Sequence, residues 1–398
     1  MSEERVGRAV LLLSLGTMAG AASLRATDPL LARLALDFNT TPGTAADATT
    51  AFFLGYGLLQ FIHGPVGDRF GKFRVIMVQS ALAACATLLC ALAPTLEALV
   101  AARFFAGLFV GAVIPLSFAW IGDAIPYAER QAVLARVMFG QVAGVTAGLA
   151  AGGWFAEHLS WRWSFVCIAV LYAGVSALLA IDLWRNPMHR RLAGEAPSKK
   201  RVHALMLLRD PWVRIMIVSV FIEAMLAFGA MGFIPLHLHR SLGLDLAASG
   251  LLVTVSAIGG LIYAASAGRM VRHLGERGLV RYGGIGYGIG MVALALVPST
   301  PVAVVALLVM GLGIYVMHGT LQVHATQMAP DARGAGVSTF AFFLFAGQSL
   351  GVWLGSLVVD RAGTMPILVV AGGGVWLLSI FLRRQLVEHA RVLIAKAG

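Results

Sequence analysis

The sequence predicts an all-α integral membrane protein, with twelve transmembrane helices in two pseudo-symmetric six-helix halves. Three observations lead there. Hydrophobic residues make up 59% of the chain and charged residues only 12%, against about 25% charged in an ordinary soluble domain. Mean hydropathy is +0.84, so a soluble fold of this size would have too little polar surface to cover itself. Apolar stretches of roughly 20 residues, enough to cross a bilayer, recur along nearly the whole chain. The same landmarks return after 203 or 204 positions.

The first half takes spans 9–36, 47–66, 74–93, 97–122, 131–155 and 163–184, and the second takes 212–236, 246–267, 279–297, 301–325, 334–357 and 364–382. Span 1 follows a basic start and could pass for a secretory signal, but its apolar run continues past the small residues of a cleavage site. Removing it would leave an odd number of spans. Span 2 closes on the charged run GPVGDRFGKFR. Spans 3 and 6 hold Cys85, Cys90 and Cys167, which read as small buried hydrophobes. Span 4 holds Arg103 early in its length, and span 5 carries the ladder Gly144, Gly148, Gly152 beside Gly153. Residues 185–211 form a basic cytoplasmic linker suited to anionic headgroups, dividing an N-terminal half (1–184) from a C-terminal half with a short basic tail (212–398). Span 7 holds Glu223, span 8 closes on another charged turn, and span 11 repeats the ladder as Gly347, Gly351, Gly355. Glycine on this scale weakens water-soluble helices but lets membrane helices approach closely, so a helical bundle is favoured over a barrel.

The repeat is specific. Gly64 and Gly71 match Gly268 and Gly275 at an offset of 204, as Pro126 matches Pro330, while Arg130 and the span-5 ladder recur at 203. Two halves in parallel orientation with a shared pathway follow.

The net charge of +11 does not point to nucleic acid. With the N-terminus cytoplasmic, 24 of the 30 Lys and Arg fall on the inner side, and only Arg162, Arg240 and Arg361 on the outer. That asymmetry predicts both termini inside.

In the run ending span 2, Gly64 and Gly71 would permit a tight exit and re-entry. Arg69, Lys72 and Arg74 hold the loop cytoplasmic, and Asp68 is the one acid among them. A merely topogenic basic turn would use the same cations. This Gly64-x3-Asp68-Arg69-x-Gly71-Lys72-x-Arg74 pattern resembles the signature loop between helices 2 and 3 of the major facilitator superfamily, and the resemblance extends over all twelve spans. It implies that Asp68 faces the positive end of helix 11, while Arg69 or a neighbour pairs with Asp123 at the end of span 4, gating the cytoplasmic side. In the second half Arg272 replaces the acid and Gln327 stands where Asp123 stands, so the latch reads as one-sided.

Three buried charged positions invite a coupling role. Arg103-x3-Gly107-x3-Gly111 resembles the span-4 pattern of proton-coupled members, and an arginine in hydrocarbon costs roughly 2.5 to 3.5 kcal/mol unless partnered. Asp28 lies three residues from Arg25, so the two either neutralise each other or leave Asp28 to exchange protons with Arg103 nearby. Glu223 is the one carboxylate near the middle of a span, a placement that suits a proton or cation site; a buried structural hydrogen bond is the alternative.

The span-5 ladder resembles the antiporter signature of drug-exporting members, with Leu149 where those have proline. Its flat face suits close packing, against span 8 on sequence grounds. The run from His318 is similar to helix 10 of the drug and sugar efflux group. Family geometry would bring Phe52, Tyr56, Gln60 and Gln141 of the first half near the path. From the second it would bring Met225, Phe228, Tyr315, His318, Gln322, Phe345 and Gln348. These suit an amphipathic organic compound over a bare ion, since no cluster of hard oxygen ligands is present.

No phosphate loop, zinc spacing or nucleophile elbow occurs, so neither an enzyme nor a cofactor is expected. The energy source is then an ion gradient. The expectation is an inner-membrane, multi-pass, proton-coupled exporter, a monomer by family resemblance, partnered by its substrate, protons and lipid. Symport of a nutrient such as an organic acid or sugar, and a receptor that binds without transporting, remain the alternatives.

Overall fold

The computed structural model describes residues 3–186, 207–328 and 333–397, and most of the expected linker, with Pro330, lies outside them. Among the described residues there is no strand. Among the described residues nine continuous helical stretches are long and apolar enough to cross a membrane, and one of these, Leu246–Leu296, holds two legs of the bundle. The chain is an all-helical, multi-pass membrane protein. Its helices cluster into two compact units, Met1–Arg201 and Val202–Gly398.

The first unit contains α1 (Glu3–Arg25), α2 (Asp47–Leu58 and, past Leu59, Gln60–Phe70) and α3 (Lys72–Leu92). It continues with α4 (Leu96–Val110 and Val113–Ala124), α5 (Tyr127–His158) and α6 (Arg162–Arg185). Helix α4 starts where the Thr95 side chain accepts from the Ala98 N–H, satisfying a donor the first turn leaves open. The second unit begins with α7, which is α-helical over Pro211–Glu223, passes through a π turn at Ala224–Phe228, and resumes to Leu242. Asp210 caps its start through the Trp212 N–H. Leu246–Val253 and Val255–Leu296 form α8 and α9, separated at Gly275. They are followed by α10 (Thr300–Gln327), α11 (Arg333–Ala362) and α12 (Met365–Ala397).

Each unit uses the same pairings. In the first, α1 packs on α5, α2 on α4 and α3 on α6; in the second, α7 packs on α11, and the α8–α9 stretch on α10 and α12. Glycine makes these approaches possible, at repeat-related places. A Cβ on Gly107 would strike the Phe52 carbonyl, and one on Gly311 the Ser256 carbonyl. One on Gly144 would strike Met18 O, and one on Gly347 would strike Phe221 O. The ladder face of α5, assigned on sequence grounds to span 8, is therefore occupied by α1 of its own unit. Backbone fills it so closely that Gly148 sits against Ala22 and Gly152 against Ala26 and Pro29.

The turn after span 2 is shorter than the sequence suggests. Gly64 lies inside α2, which stays helical through Pro65 to Phe70, and nothing would meet a Cβ there. The whole change of direction falls on Gly71, with φ 88°. Its counterpart Gly275 has φ 61°. Both lie in the left-handed half of the map that glycine enters without steric cost.

Candidate functional site

Glu223 ends the α-helical part of α7 and is fully buried. Its Oε2 lies 2.8 Å from Nδ1 of His318 on α10, so the carboxyl group and the imidazole are hydrogen-bonded. Phe228 and Phe340 flank the imidazole, with ring centroids 5.2 and 5.8 Å away. The second carboxylate oxygen, Oε1, is buried with no hydrogen-bond partner among the described residues. A buried acceptor left open is costly, and a proton or a donor from elsewhere would relieve it.

The internal repeat supplies a control for this pair. The contacts of Met18 and Ala22 correspond to those of Phe221 and Met225, which sets Gly20 at the place of Glu223. On α4, Ile114 stands at the place of His318. A Cβ on Gly20 would lie 3.3 Å from the Ile114 side chain, so the same two positions meet in both units. The first unit fills these two positions with residues that have no polar side-chain atom, with the Tyr172 hydroxyl 3.7 Å from the place of a Gly20 Cβ; the helix pairing itself needs neither the acid nor the imidazole.

The buried charges of the first unit are arranged differently. Arg103 is 1% exposed, its guanidinium 3.9 Å from the Phe52 ring centroid and 3.3 Å from the Ser23 carbonyl, to which it donates. Arg25 bonds Asp28 at 3.2 Å. Asp28 Oδ1 and Arg103 Nε are both buried without a hydrogen-bond partner among the described residues. Arg25 is thus the direct partner of Asp28, with Arg103 close enough to act on it through charge.

At the Gly71 end, Lys72 is the hub. Its ammonium lies 2.7 Å from Asp68 and 2.7 Å from Asp123, drawing the starts of α3 and ends of α2 and α4 together. Arg69 lies instead 5.3 Å from the neighbouring Phe70 ring, and Arg74 is exposed. Sequence reasoning assigned the pairing to Arg69 or a neighbour and treated Lys72 as topogenic, although its i+4 spacing from Asp68 is that of a helical ion pair. Lys72→Ala is expected to change stability by less than about 1 kcal/mol, since both acids are partly exposed, yet to slow substrate counterflow about fivefold. Arg69→Ala should stay within about twofold in the same liposome assay. Equal losses would mean that the Lys72 ion pairs play no part in transport.

The second unit is not without its own pair. Glu276, at the place of Lys72, lies 3.3 Å from Nε2 of His324, an acid where the first unit has a cation. The nearness of the His324 side chain outweighs partial burial and, with the charge of Arg277, holds the Glu276 carboxyl below its ordinary range. Trp212 packs edge-on to His324 (5.5 Å) and stacks on His389 (3.8 Å). The residue that meets Glu276 comes one turn before Gln327 on α10, a place that a strict offset from Asp123 passes over.

The remaining expected substrate contacts divide. Gln60 donates to the Tyr56 and Gly111 carbonyls at 3.0 and 3.1 Å, clasping α2 to α4, and Tyr56 is buried against Phe52. Gln348 is buried, Phe345 half-buried and Gln322 exposed. The Tyr315 ring covers Gly260. Gln141 keeps a buried Nε2 with no hydrogen-bond partner among the described residues. Gly153 is buried beside the ladder.

A family model described as Major Facilitator Superfamily matches residues 13–352. An uncharacterized MFS-type transporter, YwfA of Bacillus subtilis, is 24% identical over 369 residues, covering 91% of this chain and 86% of that protein. Multidrug export protein EmrB of Haemophilus influenzae is 30% identical over 169 residues, 40% of this chain and 32% of EmrB. Among solved structures, nucleoside transporter NupG superposes with a TM-score of 0.78 at 12% identity, covering 96% of this chain and 99% of NupG. A D-xylose-proton symporter gives 0.74 at 15%, covering 94% and 97%.

Proposed function

The chain belongs to the Major Facilitator Superfamily, and we propose that this transporter is a secondary carrier exchanging protons for a small amphipathic organic compound, exporting the compound by alternating access. The observation carrying the proton coupling is the buried Glu223–His318 pair, set where the sister unit has Gly20 and Ile114. A pair that packing does not require, at mid-span depth, reads as the place where a proton is held and released. Asp28, Arg25 and Arg103 form a second buried charge group, and Asp68, Lys72 and Asp123 the latch on the cytoplasmic side. Both termini lie in the cytoplasm, the membrane is the inner one, and the unit of function is a monomer.

Export is supported by the glycine face of α5 and by a multidrug export protein among the relatives. One observation favours the opposite direction: α5 runs unbroken from Tyr127 to His158, with buried Leu149 where exporters carry a helix-kinking proline. Proton symport into the cell is therefore the second reading. Oriented vesicles with an imposed pH gradient distinguish the two. Substrate moving against the proton flow establishes export, and movement with it establishes import. Absence of any substrate counterflow across a compound panel would sink both in favour of a receptor.

A further inference from the structure

The π turn in α7 begins immediately after Glu223. Its defining bond runs from the Gly229 N–H back to the Ala224 carbonyl, five residues away. Such a turn holds one residue more than the α-helix around it and occurs mostly as a single wide turn, frequently at functional sites. Tyr287, on α9, is fully buried, and its hydroxyl donates to the Ala227 carbonyl at 3.2 Å, inside that turn. On the opposite side α11 closes in: a Cβ on Gly229 would lie 2.7 Å from Gly351 Cα.

The sister unit lacks all three features together. Helix α1 is α-helical throughout Glu3–Arg25, with Gly20 at the place of the acid. Ala83, as far past Gly71 as Tyr287 is past Gly275, stands at the place of the tyrosine. Acid, π turn and tyrosine occur as a set or not at all.

We propose that Tyr287 is a positioning residue for the Glu223–His318 pair, its hydroxyl holding the wide turn in place so that the carboxylate faces the imidazole. Without that bond the turn relaxes toward α-helix, which advances one side by a residue, or about 100° of rotation, and swings Glu223 away from His318. This inference rests on the proton-coupling reading above, and adds to it the group that sets the geometry. Tyr287 itself carries no transported proton.

The test compares full-length wild type, Tyr287→Phe and Glu223→Gln in proteoliposomes. Phenylalanine keeps the ring and removes only the donor. Tyr287→Phe is expected to shift the pH profile of gradient-driven transport by at least about half a unit. Amide exchange across 224–232 should quicken about tenfold, with counterflow at saturating substrate retained. A lower melting temperature with pH profile and amide exchange unchanged would make Tyr287 merely structural and overturn the proposal. If Tyr287→Phe yields no folded protein, deletion of Ala227, which removes the extra residue of the π turn, decides. A shifted pH profile supports the proposal and a wild-type profile overturns it. Should Glu223→Gln also keep the wild-type profile, the coupling reading fails instead, whatever Tyr287→Phe does.

Discussion

In proteoliposomes carrying a one-unit pH gradient, Glu223→Gln is expected to abolish accumulation while leaving counterflow. One pH unit is worth about 1.4 kcal/mol per proton, enough to sustain a roughly tenfold substrate ratio at one proton per cycle. The variant should hold a ratio near one. Glutamine keeps the size of the side chain and a group able to bond His318 Nδ1, so the packing with Phe228 and Phe340 survives. What it loses is the proton. A variant that still accumulates substrate at the wild-type ratio would end the coupling assignment, and attention would pass to Asp28, whose Oδ1 is likewise buried without a hydrogen-bond partner among the described residues.

Gly351→Val should cause the largest loss of stability among single glycine replacements. A side chain there would drive into the Met225 carbonyl, and the nearby Met225 Cα and C lie within 2.9 Å of the added carbon. Backbone cannot rotate aside as a side chain can, so overpacking of about 1–3 kcal/mol is the minimum expected. Relief by separating α11 from α7 would disturb the π turn as well, so transport should fall further than stability predicts. Gly174→Val is the control, since no atom lies within 4 Å of the added carbon there. A melting temperature equal for both variants would contradict the close approach.

Much of the architecture was legible in the sequence, because lipid imposes simple demands: long apolar runs, basic residues between them, glycine where helices touch. The repeat was legible for the same reason, its landmarks being glycines that cannot change without steric cost. Glu223 stood out as an acid in an apolar run. Its partner did not, because His318 is 95 positions away and nothing in local spacing joins two spans. Comparing Glu223 and His318 with Gly20 and Ile114 would have raised the pairing from sequence alone. Lys72 was hidden by its company, one cation among several in a basic turn. Gly64 misled in the other direction, as a glycine invites a turn that the helix does not take. The π turn leaves no mark in composition; it reflects the packing of α7 against α9 and α11.

The elbows at Gly71 and Gly275 bear on where movement can reside. A joint one residue long has two dihedrals and no slack, so the rods on either side cannot slide past each other or change length independently. Each hairpin can bend about its glycine, yet its two rods stay joined end to end, with no loop between them to take up a displacement.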